Sequence, residues 1–268
     1  MCSIGGFIAS RPISGVEAKN LCSALLWYGA DRGMQSSGCF VNGKVHKAAV
    51  DPSDFIDSEE FKGMFGQPVR MALTHTRMPT SGGLGDDQAQ PFRVGKTVTV
   101  HNGWIMNIKE CREKYSLIKP SGVDSELFAR FLAQYGVGRF GEFVEFAEGC
   151  AAVAAIHQGK MYLVRHNNPT FFCKLALADG GAVTVFGSTT EAVERAMAHT
   201  WLMPEKFFIQ GTQQNVLLEV TPEKLRPIGD KLKPWGYGGV YRQYGGKYSD
   251  AYGWGEDDQA WVTRLIDR

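Results

Sequence analysis

The second residue of the chain is a cysteine, and its position gives it chemistry the other cysteines lack. Methionine aminopeptidases act when residue two is small, and cysteine qualifies. Removal of Met1 leaves Cys2 with a free α-amine beside its thiol. An α-amine titrates near about pH 8 and a free thiol near about 8.5. One residue then holds both a nucleophile and a general base. Alone, a Met-Cys start shows only that cysteine follows the first methionine. Four further groups add to it: Arg32-Gly33 with Ser36 and Gly38; Thr74-His75-Thr76-Arg77 with Thr80, followed by Gln88-Ala89-Gln90-Pro91-Phe92; His101-Asn102-Gly103 with Asn107; and Asp124-Ser125-Glu126.

Each group singly reads as ordinary turn chemistry, but their joint chemistry is coherent. A thiol that attacks an amide needs donors for the developing oxyanion, and Asn102 Nδ2 with the Gly103 N–H supplies two. Glycine at 103 lets the backbone approach closely. Arg77 suits a carboxylate through its planar fork, Thr80 adds a hydroxyl to it, and Asp124 suits an ammonium. Together they describe a pocket for free glutamine, with Cys2 attacking the side-chain amide.

These residues must be carried by a mixed set of elements. Ser3–Ser10 reads as a buried strand and Gly15–Gly29 as a helix with apolar residues at helical spacing. Gly38–Ala49 reads as a hairpin turning at Asn42-Gly43. Val69–His75 and Thr97–His101 read as strands, joined by a long polar loop over Thr76–Phe92, a length that usually marks function. Asn107–Tyr115, Asp124–Tyr135 and Thr190–His199 read as helices. Cys150–His157 pairs with Lys160–Arg165 around Gln158-Gly159, and further strands follow at Phe171–Ala178, Ala182–Phe186 and Gln214–Thr221. Several hairpins imply largely antiparallel sheets, and two sheets between helix layers is the natural packing.

Composition narrows the class. The 268 residues carry 29 Lys+Arg against 28 Asp+Glu, a net charge of +1. That balance gives no global case for nucleic-acid or membrane binding. No apolar run reaches the ~20 residues that span a bilayer, and no export signal opens the chain. The six cysteines are widely spaced and none forms a CxxC pair, so neither a metal nor another cofactor is expected. Cys22, Cys39, Cys111, Cys150 and Cys173 read as small core residues in a reduced, cytoplasmic protein. Glycine is in excess at 32 residues, divided between the motif turns and Trp235–Gly255. In the latter, Tyr237, Tyr241, Tyr244, Tyr248 and Tyr252 recur at near-helical spacing against helix-opposing glycines. Glu256–Arg268 reads as a short amphipathic helix.

In motif order, the chain resembles the class II glutamine amidotransferase domain, an N-terminal-nucleophile glutaminase. The resemblance rests on Cys-x-Ile-x-Gly, Arg-Gly-x-x-Ser-x-Gly, His-Thr-Arg-x-x-Thr, Gln-Pro-Phe, His-Asn-Gly-x-x-x-Asn and Asp-Ser-Glu, and continues into Glu148-Gly149-Cys150-Ala151, Val164-Arg165 with Asn168-Pro169, and Gly187-Ser188-Thr189-Thr190-Glu191-Ala192. It implies an α+β fold, the four-layer αββα sandwich with mostly antiparallel sheets. It also implies Cys2 as nucleophile through a thioester, Asn102 and Gly103 as oxyanion hole, Arg77, Thr80 and Asp124 around the glutamine, and Arg32 bracing the site. Residues 1–225 would form this domain, and 226–268 a Gly/Tyr-rich extension ending in a short helix. Family members commonly carry a second, ammonia-using domain. The sequence past 220 is too short for one, so an ammonia-accepting synthase chain is the expected partner, with the Tyr/Gly segment as a candidate surface for docking or self-association. Two other readings remain open: a relative acting on a different amide, or a non-catalytic binding protein of the same fold.

Overall fold

The computed structural model describes residues 2–79, 82–118, 121–177, 180–200, 206–233 and 262–265. Thr80 and the Tyr/Gly segment lie outside them. The strands are β1 (Ser3–Ile13), β2 (Ser36–Val41), β3 (Lys44–Ala48), β4 (Val69–Arg77), β5 (Phe92–Val94), β6 (Thr97–Ile105), β7 (Gly149–His157), β8 (Lys160–His166), β9 (Phe171–Ala176), β10 (Ala182–Gly187), β11 (Lys206–Gly211), β12 (Leu218–Val220), β13 (Leu225–Pro227) and β14 (Val262–Leu265). The helices are α1 (Gly15–Trp27), α2 (Pro52–Asp57), α3 (Glu59–Lys62), α4 (Ile108–Tyr115), α5 (Glu126–Tyr135), α6 (Phe140–Phe146) and α7 (Thr190–Ala198).

Among the described residues the strands form two sheets, in the orders β14-β11-β9-β10-β1-β4-β2-β3 and β13-β12-β8-β7-β6-β5. Every ladder is antiparallel.

Strand alternation builds the layers. In β1, Phe7 and Ala9 point to one face and join a core with α1 and α7. Ile4 and Ile8 point to the other face and meet Val98, Val100, Ala154 and Leu163 of the second sheet. The outer face of that sheet packs on α4, α5 and α6 through Tyr115, Phe128, Phe131 and Phe143. The result is the expected αββα sandwich. α1 starts on a capping box: the Ser14 hydroxyl accepts from the Glu17 N–H at 3.2 Å, and the Glu17 carboxylate accepts from the Ser14 N–H at 3.3 Å.

Three segments differ from the sequence reading. Gln214–Thr221 is a strand only over Leu218–Val220, because Asn215 adopts a left-handed φ of 59° that breaks an extended chain. α6 was not legible, since Gly141 interrupts its helical pattern. Where a helix is expected over Glu256–Arg268, Val262–Leu265 pairs antiparallel with β11 instead. Val262 and Thr263 are β-branched and suit an extended chain. The rest of that stretch lies outside the described residues. β13 runs across the expected boundary between 225 and 226.

Candidate active site

Cys2 stands at the head of β1. The β1–β4 register pairs Ser3 with Thr76 and Ile4 with His75, so Arg77 lies level with Cys2. Alternation turns both toward the second sheet, with Ile4 and Leu73 as their same-face neighbours. On the second sheet Asn102 follows Val98 and Val100 on the facing side. His75 closes the gap: its Nε2 bonds the His101 carbonyl at 3.1 Å, which brings residue 102 to the Cys2 end.

Cys2, Arg77 and Asp124 form one electrostatic group. Burial pushes the Cys2 thiol up, Arg77 draws it down and Asp124 raises it further. The thiol donates to the Met78 carbonyl at 3.5 Å. Arg32 braces the same residue, its Nε donating to the Cys2 carbonyl at 2.8 Å. Asp124 is buried, and its two oxygens accept from the Ile105 N–H at 2.8 Å and the Ser125 N–H at 2.9 Å. Burial lowers the Arg77 pKa, opposed by Cys2 and Asp124.

Asn102 is fully buried, and neither polar atom of its side chain has a hydrogen-bond partner among the described residues. A buried polar group left unmet costs about 1–3 kcal/mol. An amide left unpaired in the inter-sheet gap is free to donate to charge that arrives there. Gly103 follows with φ of 146°, and a Cβ there would sit 1.9 Å from the Cys150 carbonyl oxygen. Only glycine fits.

Beyond these residues lies a buried network that the sequence reading quoted within motifs without assigning roles. The Gln90 amide clamps the His101 backbone, with Oε1 accepting from its N–H at 2.7 Å and Nε2 donating to its carbonyl at 2.9 Å. Gln90 Nε2 also reaches Ser125 Oγ at 3.3 Å, and that hydroxyl lies 2.8 Å from His101 Nδ1. Burial drives the His75 pKa down to about 3 and lowers that of His101, so both rings are neutral near pH 7. Asn168 Nδ2 fixes the backbone of Asn102, donating to the Asn102 carbonyl at 2.7 Å and to Cys150 Sγ at 3.3 Å. Each network residue adjoins or belongs to a motif; that adjacency was the available signal.

The polar loop after β4 folds back on the site. Arg77 Nη1 donates to the Gly83 carbonyl at 2.8 Å, and the Gly83 N–H donates to Gln88 Oε1. Lys47 Nζ, on β3, donates to the Asp87 and Ala89 carbonyls at 3.1 and 2.7 Å. Thus Cys2, Arg32, Arg77, Asn102, Gly103 and Asp124 meet at one end of the inter-sheet gap, while Thr80 lies outside the described residues.

No protein-family model matches the chain. Among curated proteins it is 30% identical over 188 residues to a glutamine–fructose-6-phosphate aminotransferase (isomerizing) of Sulfolobus acidocaldarius, covering 63% of this chain and 31% of that one. It is 26% identical over 145 residues to 7-cyano-7-deazaguanine synthase 2 of Sulfurisphaera tokodaii, covering 52% and 32%. The chain spans about a third of the length of these curated relatives. Its fold matches the solved glutamine phosphoribosylpyrophosphate amidotransferase of B. subtilis with a TM-score of 0.64 at 17% identity, over 85% of this chain and 49% of that one. The motifs in order and these relatives agree in one likeness: the sequence resembles a class II, N-terminal-nucleophile glutamine amidotransferase domain, and its two-sheet sandwich is the fold of the matched amidotransferase structure.

Proposed function

We propose that this chain is the glutaminase component of a glutamine-dependent amidotransferase. The observation that carries the reading is the convergence of Cys2, Arg77 and Asp124 in one electrostatic group, beside the unpaired amide of Asn102. Arg77 takes the glutamine α-carboxylate and Asp124 its α-ammonium, which places the side-chain amide at Cys2. With Met1 removed, the Cys2 α-amine accepts the thiol proton as Sγ attacks the amide carbon. Asn102 Nδ2 and the Gly103 N–H hold the oxyanion. Collapse passes the proton to the leaving nitrogen, releases ammonia and leaves a γ-glutamyl thioester. Water then attacks the thioester, frees glutamate and restores the thiol. Because burial raises the thiol pKa, an adjacent base is required near pH 7.

Arg77 has two tasks in this scheme, since it also holds the loop through Gly83. Loop position and substrate carboxylate are thereby read by one cation.

The ammonia passes to a synthase partner. Four apolar side chains near the site residues support a docking face there: Met34, Met78, Leu84 and Met106 are all exposed. The described cysteines are free thiols, which suits a reducing compartment such as the cytoplasm. No helix among the described residues is long and apolar enough to cross a membrane.

The test is glutamate formation from glutamine by the wild type and by Cys2→Ala, with folding checked by circular dichroism. Loss of activity in a folded variant is expected. Substantial residual activity contradicts the nucleophile assignment, and wild-type activity on simple acyl amides but not on glutamine contradicts the substrate.

A further inference from the structure

At the end of the sandwich away from Cys2 the two sheets border a cavity of about 620 Å3, within the roughly 300–1,000 Å3 range that holds small ligands. β4 sets the separation, running from Arg70 at this rim to Arg77 at the other end, ~23 Å at about 3.3 Å per residue. The floor is apolar: Phe40 and Met71 come from the first sheet, Val98 and Ile156 from the second. The mouth is made of tight turns at Asn42-Gly43, Gly95 and Gln158-Gly159, all with positive φ.

The charge around this floor is one-sided. Among the described residues, Arg70, Arg93 and Lys96 line the cavity and no acidic residue does. Among the described residues the bonds of these cations go only to backbone carbonyls. Arg70 Nε donates to Ala9 at 3.4 Å. Arg93 Nε donates to Gly95 at 3.1 Å, and its Nη1 donates to Gly43. The Arg93 contacts tie a turn of one sheet to a turn of the other, so its guanidinium is fixed across the mouth. A rim that carries three cations and, among the described residues, no acidic lining draws an anion.

We infer that this cavity binds a small amphipathic anion, with a phosphate or carboxylate held at the rim by Arg70, Arg93 and Lys96 and a flat apolar body laid on Phe40, Met71, Val98 and Ile156. The site is independent of the glutaminase chemistry and is tested without it.

The probe is 1-naphthyl phosphate, titrated calorimetrically into the full chain, with inorganic phosphate and 1-naphthol as half-probes. 1-Naphthyl phosphate should bind at least about tenfold more tightly than either half. The double variant Arg70→Gln/Lys96→Glu removes two of the three cations and should weaken it at least about tenfold, the lower end for losing even one charge-assisted hydrogen bond. Both substitutions are at exposed positions, and an unchanged melting curve shows the variant folded. A saturating concentration of glutamine should leave the affinity unchanged. The inference is overturned by no binding, by phosphate binding as tightly as the aryl ester, by unaltered affinity in the double variant, or by competition with glutamine.

Discussion

Asp124 shows how much one side chain is asked to do. Its carboxylate accepts backbone N–H bonds from Ile105 and Ser125 and carries the negative charge assigned to the substrate ammonium. Asp124→Asn keeps an acceptor for one backbone donor and removes the charge. We expect KM for glutamine to rise about tenfold to a hundredfold, the span of a charge-assisted hydrogen bond, with kcat changed far less. Steady-state kinetics decide it, and a fall in kcat with KM unchanged would show that Asp124 acts in the chemical step instead. The roles proposed for Cys2, Arg77 and Asp124 were legible in the sequence because each residue type matches one piece of an α-amino-acid amide. That of Ser125 was not. Its hydroxyl matters through Gln90 and His101, which lie 35 and 24 residues away in the chain.

At the scale of elements, the loop between β4 and β5 was readable as functional from its length and polarity, but its anchoring was not. Lys47 reaches it from another strand, and hydrophobic period carries no trace of such a contact. The Lys47 ammonium is partly buried; that burial lowers its pKa, with Asp87 and Glu126 opposing. Lys47→Met keeps the stem that lies against Phe92 and removes both bonds to the loop. Hydrogen exchange at Gly83–Ala89 should speed up while exchange in β1 and β4 is unchanged. Equal protection in variant and wild type would show that the Arg77–Gly83 bond and the bond from the Ala49 N–H to Asp86 Oδ1 hold the loop without Lys47. The same limit explains β14. A short amphipathic pattern does not separate helix from edge strand, and the presence of β11 as a neighbour decides between them.

For the molecule as a whole, the layered architecture followed from reading hairpins and helices in order, because alternation in β1 and β6 already divides their side chains between two cores. The same layering buries ionisable groups. Burial holds His75 down to about 3 and His166 to about 4, against about 6.5 in an unfolded chain. Between those values the unfolded state binds more protons than the folded one, so stability falls as pH drops from about 6.5 toward 4. Each histidine contributes up to about 1.4 kcal/mol per pH unit in that window. Urea midpoints measured from pH 7 to pH 4.5 should decline, and His75→Gln should flatten the slope; an unchanged slope would mean that His75 is not held neutral. The central claim, that Cys2 is the nucleophile toward glutamine, is tested most directly by acid-quenching the wild-type reaction and mapping the protein by tandem mass spectrometry. We expect Met1 to be absent and a glutamyl adduct, glutamine less ammonia, on the Cys2 sulfur; turnover of glutamine with Met1 retained, or with the adduct on another residue, would contradict it.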